Sequence, residues 1–177
     1  MNWRGPLLAL VLTAALACAT AIWAIPGLLM TLAIDRLASA KGVNSMSHGS
    51  LATPARQPVV RPSPDLAYSA CPFDLKQGPL LIEISPVAGR YSSLSIFDGR
   101  TDVILVRNDV QAKGRPYRLA VALHGQATPA GIEVVRSDTA SGIALIRLLL
   151  IAPSELPQLQ AARAKSTCRT IGGIAAK

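Results

Sequence analysis

Between Gly5 and Ile34 this 177-residue chain has no charged residue of either sign. A helix on the surface of a soluble domain needs a polar face, so that absence excludes one over this run. Aromatic residues are scarce at 4%, and no stripe of alternating aromatic and basic side chains occurs, so the net charge of +8 has no base-stacking surface to go with it. Histidine is nearly absent. His48 and His124 each lack a Cys, His, Asp or Glu two to four residues onward, which argues against a metal centre. Glycine-rich phosphate loops and the G-x-S-x-G nucleophile turn are missing too, so the sequence names no metal, cofactor or catalytic residue.

Acids are also missing where they would balance the charge. Arg36, Lys41, Arg56 and Arg61 occur between Arg36 and Pro64 with no acid, whereas from Asp65 onward 13 basic residues face 9 acidic ones. Half of the excess therefore follows directly on the uncharged run, where it suits attraction to anionic head groups better than a nucleic-acid groove.

The uncharged run itself reads as membrane. Pro6 to Ile25, "PLLALVLTAALACATAIWAI", supplies the roughly 20 apolar residues that a helix needs to cross about 30 Å of hydrocarbon. Pro26-Gly27 then predicts a kink there or an interfacial segment beyond it, with the helix continuing or kinked to Ile34. Residues 1–38 are thus expected to be an anchor with a transmembrane helix over 6–25. Ala19-Thr20-Ala21 has the form of a signal-peptide cleavage site, but cleavage there would leave an equally apolar start, and Cys18 lacks the polar tether that follows a lipoprotein cysteine. Arg4 on one flank and Asp35, Arg36 and Lys41 on the other leave the positive-inside rule near neutral. Cys71 and Cys168, close to the two ends of the remaining domain, suit a disulfide and so an oxidising compartment. The expectation is a single-pass bacterial inner-membrane protein with its body in the periplasm.

Residues 39–66, rich in Ser, Ala and Gly and holding Pro54, Pro58, Pro62 and Pro64, read as a semi-extended linker with polyproline-type stretches. From about residue 67 to 170 the pattern becomes short apolar runs between Gly, Pro, Asp and Asn, as in an all-β domain. "PLLIEIS", "YSSLSIF", "DVILVR", "RLAVALHG", "GIEVVR" and "SGIALIRLLLIA" give about six strands. The last is apolar for so long that only Gly142 and the branched Ile143, Ile146 and Ile151 favour a strand over a buried helix. "ELPQLQAARAKS" is the one helical segment, with Ser154 as its cap and Leu156, Leu159 and Ala162 as its apolar stripe. Residues 171–177 read as a flexible tail. The fold expected is mainly β, an antiparallel sandwich with one C-terminal helix.

The stretch "YSSLSIFDGRTDVILVRND" holds the densest chemistry, with Asp98, Asp102 and Asp109 beside Arg100 and Arg107. Asp98-Gly99 after an apolar strand suits a type I′ hairpin with positive φ at both central residues, and Asn108-Asp109 suits the next turn. Turn chemistry accounts for all three aspartates without catalysis. Arg147, inside an apolar strand, would need Asp98, Asp102 or Glu133 as a partner if it faced inward. Cys71 with His124 is a conceivable nucleophile and base, removed if Cys71 is bonded.

Taken in order, "AYSACPFDLKQGPLLIEISPVAGRYSSLSIFDGRTDVILVRND", "PAGIEVVRSDTASGIALIRLLL" and "SELPQLQAARAKSTC" resemble the bacterial family catalogued as domain of unknown function twelve fifty-four, in its short membrane-anchored form. "CPFDL", "RYSSLSIFD" and the late Cys168 are the most specific pieces. The family carries no established activity. Its larger members fuse a similar segment to a second β-rich domain, so the resemblance implies a separate β-rich chain as partner and a non-catalytic interaction role. Two alternatives stand beside it. One is a module binding an anionic lipid, glycan or small ligand in an Arg-lined hollow; the other is a hydrolase in which Asp98, His124 and a serine converge.

Overall fold

A computed structural model describes residues 3–53 and 62–172. Pro54, Pro58 and most of the expected tail lie outside the described residues. The elements run α1 (Arg4–Ala38), β1 (Ser47–His48), β2 (Leu66–Asp74), β3 (Leu80–Ile84), β4 (Ser92–Asp98), β5 (Val103–Asn108), β6 (Tyr117–Leu123), β7 (Glu133–Ser137), β8 (Ser141–Leu149), α2 (Leu156–Lys165) and β9 (Thr167–Thr170). Two sheets face each other, one ordered β1-β2-β8-β4-β5 and the other β7-β6-β3-β9. The domain is mainly β, as its alternating runs require, with nine strands among the described residues rather than about six.

The three additional strands have physical reasons to be inconspicuous. β1 has two residues, β9 has four, and β2 carries Pro72 and several small residues of low strand propensity. Pro72 is tolerated because it bonds toward the sparsely paired side of β2, where its carbonyl accepts from the Asn44 N–H at 2.8 Å. The sandwich is also not wholly antiparallel. β6 and β7 pair in parallel, from Leu119 opposite Glu133 to Leu123 opposite Ser137.

Between the sheets Phe73, Leu80, Ile82, Leu94, Ile96, Leu119, Val121, Ile146 and Leu148 are buried, and burial of each such side chain contributes about 1.5–3 kcal/mol. β8 is apolar on both faces because both are covered. Ala144, Ile146 and Leu148 face the opposite sheet, while Ile143 and Leu145 face α1 together with Ala70 of β2 and Phe97 of β4. The Cys71–Cys168 disulfide ties β2 to β9 along one side of the sandwich. Arg107 of β5 and Glu133 of β7 form a two-pronged ion pair, at 2.5 and 2.6 Å, that ties the edge strands on the other.

α1 is a single helix of 35 residues that continues through Pro26. Proline removes one backbone bond and crowds the turn before it. Here the segment beyond is held helical by packing of Met30, Ala33, Ile34 and Leu37 on the outer face of the β2–β8–β4 sheet. The segment expected as a semi-extended linker is partly stitched down. Asn44 donates to the Asp74 carbonyl and accepts from the Asp74 N–H, and β1 pairs with β2 at Ser47–Ala70 and His48–Ser69. In α2 Ser154 lies in a preceding 3₁₀ turn and does not cap; Glu155 holds the cap position without a side-chain bond.

Gly142 is the position with least tolerance. A Cβ there would come within 2.2 Å of the Phe97 carbonyl oxygen and 2.4 Å of the Phe73 ring, and the first of these is backbone. Gly142→Ala is expected to lower unfolding stability by about 2–3 kcal/mol, read by denaturant unfolding of the detergent-solubilised chain; an unchanged midpoint would contradict this packing.

Candidate functional site

Asp98 is 5% exposed, and its Oδ1 accepts from the N–H groups of Arg100 (2.8 Å) and Asp102 (3.0 Å). Its carboxylate is thus committed to its own turn. The turn is not the expected type I′. Thr101 alone in it has positive φ, at 70°, and Gly99 is needed for a different reason. A Cβ on Gly99 would lie 3.0–3.1 Å from Ser141 and Thr139, and its N–H donates to Thr139 Oγ1 at 2.6 Å, so the turn is pressed against the β7–β8 connection. Asp109 accepts from the Ser92 N–H, while Asn108 and Gln111 exchange side-chain and backbone bonds.

The arginines separate. Arg100 lies over the Trp23 ring of α1, 5.8 Å from its centroid. Arg107 takes Glu133 and stacks over Tyr117 at 5.5 Å. That bond holds the Glu133 carboxyl below its ordinary value, and burial pushes the Tyr117 phenol up to about 12, partly opposed by the Arg107 charge. Arg147 finds no carboxylate: Nη2 donates to Ser95 Oγ at 2.9 Å, and Nε and the neighbouring Ser93 Oγ are buried without partners. His124 is on the surface against Asp138 at 3.1 Å, and Cys71 is bonded, so neither Cys71–His124 nor Asp98–His124 forms a reactive pair.

The most organised polar cluster was not legible in the sequence. Arg163 of α2 is 1% exposed and has no acidic partner in its bonding. Its Nη2 donates to the carbonyls of Gly49 and Tyr68, both at 2.6 Å, its Nε to Ser69 Oγ at 3.1 Å and its Nη1 to Gln160 at 3.1 Å. Ser69 Oγ also meets His48 Nδ1 at 2.9 Å. Because Arg163 can only donate, Ser69 accepts from it and its own proton is free to point at an unprotonated Nδ1. Burial lowers the His48 pKa first, and the positive charges of Arg163 and Lys41 lower it further. Serine beside histidine invites a nucleophile reading, but Ser69 is 1% exposed and its oxygen already accepts from a cation. The cluster clamps α2, β2 and the chain around Gly49 together.

Two shallow hollows of about 290 and 390 Å³ adjoin each other where β3, β6 and α2 meet. Lys165 borders both, with Ser85 and Pro116, and Arg118 and Glu83 border the larger. Among the described residues no three His, Cys, Asp or Glu side chains are grouped to hold a metal ion.

The family described as "Protein of unknown function (DUF1254)" matches residues 43–170, most of the chain. The chain belongs to the DUF1254 family. Its match begins at the segment where Asn44 and β1 join the sheet, so these residues group with the β domain in sequence as in structure. The VPA0106 protein of Vibrio parahaemolyticus has the same fold, with a TM-score of 0.57 at 17% identity over 61% of this chain and 28% of its own. A putative uncharacterized protein from Burkholderia cenocepacia follows, with a TM-score of 0.52 at 14% identity over 84% of this chain and 41% of its own. The DUF1254 chain therefore spans less than half the length of either. No curated protein matches it.

The clamp predicts a titration. With a depressed His48 pKa the folded state binds fewer protons than the unfolded chain, so its contribution to stability is present above about pH 6.5 and lost as pH falls below it. By NMR, His48 should carry its proton on Nε2 and titrate below 6.5; protonation at or above that value would contradict the network.

Proposed function

We propose that α1 anchors this DUF1254 domain in the bacterial inner membrane with its β sandwich in the periplasm, and that the sandwich is a non-catalytic module pairing with a separate β-rich chain. The helix is long and apolar enough to cross a bilayer, and its most apolar window is entirely unburied by the domain. The Cys71–Cys168 disulfide favours an oxidising compartment.

One observation carries the partner: the outer face of the β1–β5 sheet is only half covered. α1 lies on Ala70, Phe97, Ile143 and Leu145, while Val103 and Val106, on the same face of the edge strand β5, remain 54% and 55% exposed. Leu28, Leu29 and Leu32 on the free side of the docked helix are likewise exposed. Apolar area of this kind next to an unpaired edge strand invites a second chain. The longer solved relatives contain more than twice this chain's matched length, which is material for such a chain.

A second reading, a module for an anionic lipid, glycan or small ligand, is favoured by Arg147, whose guanidinium lies on that same face without a carboxylate, and by the Lys165–Arg118 hollow. The hydrolase reading has no open site behind it.

A photo-crosslinking residue at Val106 of the full-length chain in native membranes should capture one defined β-rich protein, and the same protein from Val103. The matching position Arg118, on the opposite sheet, should capture none of it. Crosslinks only to lipid, or to another copy of the chain, would overturn the pairing.

A further inference from the structure

The uncharged run of α1 is longer than a bilayer requires. Residues 5–34 span about 45 Å of helix at about 1.5 Å per residue, against a hydrocarbon core of about 30 Å. The docked domain decides which part lies in lipid. Met30, Ala33, Ile34 and Leu37 are packed on the sheet. One turn earlier, a Cβ on Gly27 would lie 3.9 Å from the Gly99 carbonyl, and Arg100 covers Trp23. A hairpin turn that exposes the charged Arg100 and Asp102 cannot enter hydrocarbon. The helix has therefore left the bilayer core by Trp23.

Counting back from Trp23 by about 30 Å, or about 20 residues, arrives at Trp3, next to Arg4. Trp3 and Trp23 are the chain's two tryptophans, 61% and 70% exposed, and indole rings prefer the two interfaces of a membrane. Spacing, side-chain chemistry and the position of the docked turn agree on one register.

We propose that the β4–β5 turn is a membrane-surface contact, in which Arg100, held over Trp23, lies in the head-group layer and pairs with phospholipid phosphate. The proposal rests on the reading of α1 as a transmembrane anchor. Asp98 of the turn is occupied by the Arg100 and Asp102 N–H groups, and among the described residues Arg100 forms no ion pair, which leaves its guanidinium for an external anion. Arginine suits this place because it can stack on the indole and bond two phosphate oxygens at once. The domain is then fixed against the bilayer at a defined height.

The test uses the full-length chain in phospholipid vesicles, with Trp3→Phe leaving Trp23 as the emitter and Trp23→Phe leaving Trp3. Lipids brominated near the head-group end of the acyl chain should quench each tryptophan several-fold more than lipids brominated at the methyl end. A nitroxide at Thr101, in a Cys18→Ser background, should be relaxed several-fold more by nickel chelated on lipid head groups than one at Arg118. Strongest quenching of Trp23 by methyl-end bromines, or equal relaxation at the two nitroxides, would overturn the register while leaving the anchor standing. Absence of quenching from either tryptophan by any brominated lipid would instead remove the anchor itself, and the proposal with it.

Discussion

The structure depends on what happens to the surplus length of one helix. A 35-residue α1 is about 52 Å long, well beyond the thickness of a bilayer core, and its last third still carries Leu28, Leu29, Met30, Leu32, Ile34 and Leu37. Exposed to water, that third would be a liability. Packed on the sheet through Met30, Ala33, Ile34 and Leu37, it becomes part of the β domain and turns the β8 strand into one buried on both faces. The Asp98–Asp102 turn, pressed by Gly99 against Thr139 and Ser141, then lies where the helix leaves the sheet. The end of α1 is a rigid extension of the fold rather than a free apolar segment.

The same logic continues after the helix. Asn44 bonds both backbone groups of Asp74, β1 extends the sheet, and Arg163 reaches from α2 to the carbonyls of Gly49 and Tyr68. A buried guanidinium without a carboxylate is costly unless its donors are met, and here the backbone meets them. The disulfide closes a separation of 97 residues, worth about 4–5 kcal/mol in the chain-entropy account, and joins the two sheets beside the clamp. These ties hold the start and the end of the domain to its first long strand.

Much of this was legible in the sequence where a strand alternates or a turn demands particular residues. β3, β4 and β6 follow from period-two apolar runs and β8 from Gly142 and its branched residues, while Asp98-Gly99 marks the place of a turn though not its type. What escaped depends on contacts between distant segments. β2 is disguised by Pro72, which only a sparsely paired edge tolerates. Gly99 is small because Thr139 and Ser141 approach it, and nothing local reveals that. Arg163 bonds carbonyls 95 and 114 residues away, and carbonyls have no sequence signature. His48 looked like part of a linker because the strand holding it has two residues.

The central claim is that the last third of α1 belongs to the β domain. Pulsed electron–electron spin resonance between nitroxides at Leu32 and Arg118, in the Cys18→Ser chain reconstituted in lipid nanodiscs, addresses it most directly. A single narrow distance distribution is predicted, because both sites ride on one rigid unit. A broad distribution, as from a domain swinging on a flexible linker, would contradict the account.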